Sequence, residues 1–320
     1  MKPKIYITRS LPEEIVEYLS QDCHVRMWER EDEPIPEQRL VQEIQDVDGL
    51  LCLLTEKIDE NLLRNAPKLK IISNMAVGYN NIDIKETQKR GILVTNTPGV
   101  LTETTADLTF GLLIGTARRF AESISYIQEG NWKTWSPMAL TGQDIFGATL
   151  GIIGMGEIGE AVARRAKGFQ MNILYYNRKR KMEAEKTIGA QYCELNDLLQ
   201  RSDFVVVMAP YTPQTVNLLS FEELSLMKPT AVLINTARGG IVNEEALYQA
   251  LVEKKIWAAG LDVFEKEPIA PNHKLLQLPN VLALPHIGSA SVATRMKMAK
   301  LAAYNLLEGL NKRNPPNLVY

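Results

Sequence analysis

The chain has 320 residues, 45% of them apolar, which allows two domains with a sizeable core in each at roughly 100 to 200 residues per domain. Lys and Arg number 36 against 38 Asp and Glu, so the formal net charge of -2 supplies no basic field that would steer the chain to nucleic acid or a membrane surface. The scattered Cys23, Cys52 and Cys193, the absence of a signal-peptide core in MKPKIYITRS and of any apolar run near the roughly 18 residues that span a bilayer point to a reducing cytoplasm, with no disulfide framework and no metal site.

From the N-terminus, β-rich runs alternate with helical ones. KIYITR, VRMW, GLLCLL, KIISNMAVG and ILVTN read as strands, separated by PEEIVEYLS, PEQRLVQEI, DENLLRNA and IDIKETQKRG. This βαβ rhythm predicts a parallel sheet with helices on both faces. A long helix is expected over Thr102–Arg119, where Thr102 and Thr105 have capping-box spacing but the acids fall at Glu103 and Asp107. After the Trp-containing connection GNWKTWSPMALTGQDIF the rhythm restarts at ATLGIIGMG and continues through MNILYYN, DFVVVMAP, TAVLINTAR, WAAGLDVF and VLALPHIG. Beyond Ser289, SVATRMKMAKLAAYNLLEGLNK places apolar residues at helical steps before NPPN stops the helix. Such a helix can return to the first domain. The expected fold is therefore α/β with two doubly wound parallel-sheet domains: a flavodoxin-like substrate domain of residues 1–99 and 288–320, and a Rossmann domain of residues 100–287.

The sharpest motif is Gly154-Met155-Gly156-Glu157-Ile158-Gly159, which follows the strand ATLGII and opens the helix EIGEAVARRAKGF. A lone GxGxxG is weak evidence, since glycines also serve plain turns. In a strand–turn–helix setting it has a mechanism: Gly154 makes the turn, Gly156 lets a pyrophosphate approach the backbone, and Gly159 lets helix and strand pack.

About 20 residues on, such a unit ordinarily carries an acid that accepts the adenosine ribose hydroxyls. Here that position is Asn177, followed by Arg178, Lys179, Arg180 and Lys181. A carboxylate would repel a 2′-phosphate, whereas a neutral Asn177 with Arg178, Lys179 and Arg180 can donate to one. NADP is therefore expected over NAD, the alternative being a solvated loop with surface charge.

Reducing a 2-oxo acid needs an anchor for the carboxylate, a polarised carbonyl and a proton for its oxygen. Arginine suits the first two through its planar fork, and histidine beside a carboxylate suits the third. The chain offers Arg238 in INTARGG, Glu267 in FEKEP and His286 in LPHIGS; Arg238 and His286 stand at strand ends, where open α/β sheets bind ligands. Of the other histidines, His24 precedes a strand and His273 lies in a PNHKLL loop, and neither sits in a motif.

Together these stretches, with MAVGYNNID, VLTETTADLTFGLLIGTARR, GNWKTWSP, NTARGGIVNEEAL, AAGLDVFEKEP and LPHIGSA, resemble the D-isomer-specific 2-hydroxyacid dehydrogenases over essentially the whole chain, and within them the glyoxylate/hydroxypyruvate reductase branch. That resemblance implies that Arg238 binds and polarises the substrate, His286 donates the proton, and Glu267 holds and tunes His286. It implies that the amides of Val77 and Gly78 cradle the carboxylate, that Asp262 faces the nicotinamide, and that Thr105, Pro210, Thr236, Ala237 and Gly288 line the cofactor. It also implies a homodimer in which the Trp loop reaches the partner's site, with Trp135 touching substrate. Where the family often has Asp, this chain has Asn177, which puts NAD use in doubt and not the reaction.

A 3-phosphoglycerate dehydrogenase lacking its regulatory domain would want a basic residue near the strand end where Leu53 and Leu54 stand, so a small uncharged substrate tail is favoured; 2-ketogluconate reduction remains open. A corepressor-like scaffold that senses dinucleotide can keep the same Arg, Glu and His, although this chain has no long charged tail.

Overall fold

The computed structural model describes residues 2–320, and the chain folds into two compact units. The first comprises residues up to Leu101 together with Ser291–Tyr320. Its elements alternate as β1 (Lys4–Ile7), α1 (Glu13–Ser20), β2 (His24–Met27), α2 (Glu37–Glu43), β3 (Gly49–Cys52), α3 (Glu60–Arg64), β4 (Ile71–Asn74), α4 (Ile84–Lys89) and β5 (Leu93–Thr95). The five strands pair with one another in parallel, in the order β2-β1-β3-β4-β5. Every residue of β3 and β4 is buried, as expected of strands covered on both faces. Asp59 and Asp83 start α3 and α4 by accepting the N–H of Leu62 and Glu86 at 3.1 and 3.0 Å. The C-terminal helix, Val292–Leu310, returns to this sheet, where Ser73 Oγ donates to the carbonyl of Ala302 at 2.8 Å. His24 is the first residue of β2 and not part of the segment before it.

The second unit, Thr102–Ala290, begins with α5 (Thr102–Ala117) and α6 (Phe120–Gln128). It continues through β6 (Thr149–Ile153), α7 (Glu157–Gly168), β7 (Asn172–Tyr176), α8 (Met182–Ile188), β8 (Gln191–Tyr192), α9 (Leu195–Arg201), β9 (Phe204–Val207), α10 (Phe221–Ser225), β10 (Val232–Asn235), α11 (Glu244–Val252), β11 (Ala258–Leu261) and β12 (Val281–Ala283). The strand order is β12-β11-β10-β9-β6-β7-β8, again all parallel, and reverses between β6 and β9. Alternate residues of one strand feed two cores: Val205 and Val207 face one, Phe204 and Val206 the other.

Two local expectations need correction. The helix predicted to reach Arg119 ends at Ala117, because Arg119 adopts a left-handed conformation (φ 55°) from which α6 starts in a new direction. Glu103 and Asp107 do not complete a cap; Glu103 pairs with Arg164 and Arg165 of α7 at 2.6 and 2.8 Å, and Asp107 with Arg165 at 2.5 Å. No helix among the described residues is long and apolar enough to cross a membrane.

Candidate active site

The glycine-rich turn sits where the strand order reverses. Gly154 leaves β6 at φ 106°, and a side chain there would collide with the backbone of Met208 and Ala209 after β9. A side chain on Gly159 would collide with the carbonyl of Gly154. The protein's own packing thus requires both glycines. Gly156 differs: it caps α7 in an extended conformation, and a Cβ would meet no atom within 4 Å. Nothing in the protein fills that space, which leaves the first N–H groups of α7, at Glu157 and Ile158, open to a phosphate. Met155 is buried beneath the turn.

At the end of β7, Asn177 turns back onto this loop. Its Oδ1 accepts the N–H of Met155 at 2.8 Å and its Nδ2 donates to the Met155 carbonyl at 3.3 Å. The basic run that follows is held by a residue that no sequence motif singles out, Glu185 of α8. It binds Arg180 through both oxygens, at 2.9 and 2.5 Å, and accepts the Tyr175 hydroxyl at 2.7 Å, while that hydroxyl accepts the N–H of Lys181 at 2.7 Å. Arg180 and Tyr175 hold the Glu185 carboxyl below the usual range. Arg180, expected to serve a ligand alongside Arg178 and Lys179, is thus paired with Glu185 in this structure.

The ends of β10, β11 and β12 carry the remaining groups. Asn235, the last residue of β10, closes the turn that presents Arg238: its Oδ1 accepts the N–H of Ala237 at 3.1 Å and its Nδ2 donates to the Arg238 carbonyl at 3.0 Å. Asparagine before such a turn is a recognisable turn signal. Gly239 lets this loop lie against the chain after β11, since a side chain would overlap the Phe264 carbonyl. Arg238 Nη1 also donates to the Ala237 carbonyl at 2.7 Å. Burial pulls the Arg238 guanidinium below the ordinary arginine range, and the Glu267 charge opposes that shift. Thr236 shares a 2.7 Å hydroxyl contact with Thr109, whose hydroxyl donates to the Thr105 carbonyl at 2.8 Å. The Pro210 carbonyl accepts the Thr215 hydroxyl at 2.7 Å.

His286 follows β12 on a left-handed backbone (φ 55°), a costly conformation for a non-glycine residue that places its ring over Glu267. Nδ1 of His286 lies 2.6 Å from Oε2 of Glu267, and Oε1 of Glu267 accepts the N–H of Phe264 at 2.9 Å. Burial pushes the Glu267 carboxyl up, but His286, the Phe264 amide and Arg238 together bring it below its usual value. Asp262, fully buried after β11, accepts the N–H of Ile287 at 2.8 Å through Oδ1, while Oδ2 has no partner. Burial raises its carboxyl against the opposing pull of Ile287, His286 and Gly288. An orphaned buried acceptor is what a nicotinamide carboxamide N–H could satisfy, and Gly288, with a hypothetical Cβ 3.3 Å from Oδ2, keeps that approach unobstructed. With the open space at Gly156, these residues fit a nicotinamide dinucleotide.

In the first unit, Leu54 follows β3, and Val77 and Gly78 lie in the bend after β4. Among the described residues, neither the N–H of Val77 nor that of Gly78 is donated to a protein acceptor. Trp135 is 78% exposed in the loop after α6. His273 is spent on Glu244, 3.4 Å away, and His24 is exposed. Among the described residues, no three or more of His, Cys, Asp and Glu cluster as metal ligands would.

A doubly wound sheet with a dinucleotide turn and an arginine beside a carboxylate–imidazole pair defines a pyridine-nucleotide oxidoreductase. Residues 110–288 match the family described as D-isomer specific 2-hydroxyacid dehydrogenase, NAD binding domain. The chain is 49% identical over 320 residues to the glyoxylate reductase of Korarchaeum cryptofilum, covering 100% of this chain and 96% of that one. It is 50% identical over 323 residues to the glyoxylate reductase of Thermococcus gammatolerans, covering 100% and 96%. It superposes with a TM-score of 0.87, at 34% identity and covering 100% of this chain and 97% of the other, on the NADPH-dependent glyoxylate/hydroxypyruvate reductase of Sinorhizobium meliloti, solved with NADP and malonate. The chain belongs to the D-isomer specific 2-hydroxyacid dehydrogenase family.

Proposed function

We propose that this chain reduces glyoxylate or hydroxypyruvate to the D-2-hydroxy acid with NADPH. The observation that carries the reading is the 2.6 Å contact between His286 and Glu267, set where Arg238 feels the Glu267 charge. The Arg238 fork binds the carboxylate and the keto oxygen as a pair. Glu267, held ionised, only accepts, so Nδ1 of His286 carries a proton toward it and Nε2 is the nitrogen that exchanges one with the substrate oxygen. A bound nicotinamide dinucleotide would supply the hydride to C2. Nε2 gives its proton as the keto oxygen becomes a hydroxyl, and in oxidation takes it back. In the first unit the N–H groups of Val77 and Gly78 receive the carboxylate, and Leu54 suits a hydrogen or hydroxymethyl tail better than a phosphate.

The NADPH preference rests on the neutral Asn177 and on Arg178 and Lys179, and a similar protein, from Sinorhizobium meliloti, is described as NADPH-dependent. We read the chain as a cytoplasmic homodimer: Phe120, Ile124 and Ile127 repeat at four- and three-residue steps on the exposed side of α6, followed by exposed Trp132, Trp135 and Met138, and a second copy is the occupant assigned to that face. On this reading Trp135 contributes to the partner's substrate site. A steady-state screen of glyoxylate, hydroxypyruvate, 2-ketogluconate and phosphohydroxypyruvate with NADPH and NADH tests the proposal. The first two with NADPH are expected to give the highest kcat/KM; no turnover with any of the four would leave the scaffold alternative standing.

A further inference from the structure

The bend after β4 is pinned through its carbonyls. Three successive carbonyls, those of Ala76, Val77 and Gly78, accept hydrogen bonds: from the N–H of Thr97 at 2.9 Å, from Asn96 Nδ2 at 2.8 Å, and from Asn74 Nδ2 at 2.9 Å. In a trans peptide the C=O of one residue and the N–H of the next point in opposite directions in one plane. Fixing the Ala76 carbonyl therefore fixes the N–H of Val77, fixing that of Val77 orients the N–H of Gly78, and fixing that of Gly78 orients the N–H of Tyr79.

The two asparagines are themselves anchored. Asn74, the last residue of β4, is fully buried, and its Oδ1 lies 3.7 Å from the Cys52 thiol. Asn96 follows β5; its N–H donates to the Asn317 carbonyl at 3.2 Å, and its carbonyl accepts Asn305 Nδ2 at 3.1 Å. Neighbouring strands thus supply rigid amide donors that reach the bend. An alanine at either place would leave a carbonyl unpaired and its peptide plane free to rotate.

We propose that Asn96 and Asn74 are positioning residues for substrate carboxylate recognition, with Asn96 aiming the Gly78 N–H and Asn74 the Tyr79 N–H by holding the preceding carbonyls. The inference rests on the reading of this bend as the carboxylate cradle. It adds Tyr79 to the groups that meet the carboxylate and explains why asparagine, with an amide donor on a short stem, stands at both strand ends.

The test uses the full-length protein saturated with NADPH and the dead-end carboxylate oxamate, a 2-oxo acid mimic. In Asn96→Asp, of the same shape but with an oxygen in place of the donor, the oxamate Ki and the KM for glyoxylate are expected to rise together by about tenfold, the equivalent of one lost hydrogen bond. The Kd for NADPH is expected to stay within about twofold. Asn96→Ala, which introduces no charge, serves as the second variant and is expected to behave alike. Amide resonances separate the cradle from its positioning: in the parent, oxamate is expected to move the Val77, Gly78 and Tyr79 N–H signals, and in the variants to move the Gly78 signal less. A parent whose bend signals do not respond to oxamate overturns the cradle itself. A parent that responds, with variants whose Ki, KM and Gly78 shift are unchanged, overturns the positioning role alone. A rise in the NADPH Kd matching that in Ki marks a general loss of structure and also contradicts it.

Discussion

Glu267 holds His286 with one carboxylate oxygen and a backbone amide with the other: Oε2 lies 2.6 Å from Nδ1 of the imidazole, and Oε1 accepts the Phe264 N–H at 2.9 Å. Because its folded pKa is depressed, Glu267 contributes stability that is fully present above the ordinary carboxylate range and is lost progressively as pH falls through that range and then through the lower, folded value. Glu267→Gln keeps the size but puts an amide, which can also donate, where a carboxylate only accepts, so Nδ1 of His286 loses the acceptor that fixes its proton. On the proposed mechanism, reductive kcat/KM is expected to fall by roughly 10²-fold or more with the Kd for NADPH unchanged. Steady-state kinetics with glyoxylate check this, and parent-like turnover would remove Glu267 as the partner of His286.

Arg238→Lys keeps a positive charge and loses the fork. A fall in kcat/KM of roughly 10²- to 10³-fold is expected, with the Kd for NADPH unchanged. Near-normal kinetics would take Arg238 out of the substrate site.

Arg180→Ala should alter the NADPH/NADH ratio of kcat/KM by no more than about twofold, since Arg180 already belongs to Glu185. Asn177→Asp combined with Arg178→Ala should reverse the preference. A double variant that still favours NADPH would make the run ordinary surface charge.

The glycines of the fingerprint are expected to separate by measurement. Gly159→Ala should lower the Tm of the ligand-free protein, a cost of about 1 to 3 kcal/mol, because its Cβ meets the Gly154 carbonyl. Gly156→Ala should melt as the parent does and weaken NADPH binding by roughly tenfold or more, because its Cβ enters only the space assigned to phosphate. An unchanged Kd for NADPH in Gly156→Ala would mean that the space there has no ligand role.

The alternating apolar runs and the strand–turn–helix context of Gly154-Met155-Gly156 were legible because periodicity and turn chemistry are local. The break at Arg119 was not: TARRFAES carries no proline or glycine, and the left-handed residue there is an arginine. The commitment of Arg180 to Glu185 and Tyr175 was equally invisible, since four bases in a row read as one feature until α8 brings an acid against the third. Asn74 and Asn96 looked like ordinary strand-end residues, and only the parallel pairing of β4 with β5 shows that both donate into one bend. The contact of Glu267 with His286 joins two loops 19 positions apart, and no spacing rule predicts it; it was legible through family resemblance alone.

The most direct measurement of the central claim is kcat/KM for glyoxylate with NADPH in the parent and in His286→Gln, alongside the Kd for NADPH of each. The account predicts turnover by the parent, a loss of about 10²- to 10⁴-fold in His286→Gln, and equal NADPH binding by the two. A variant that reduces glyoxylate as fast as the parent would contradict it.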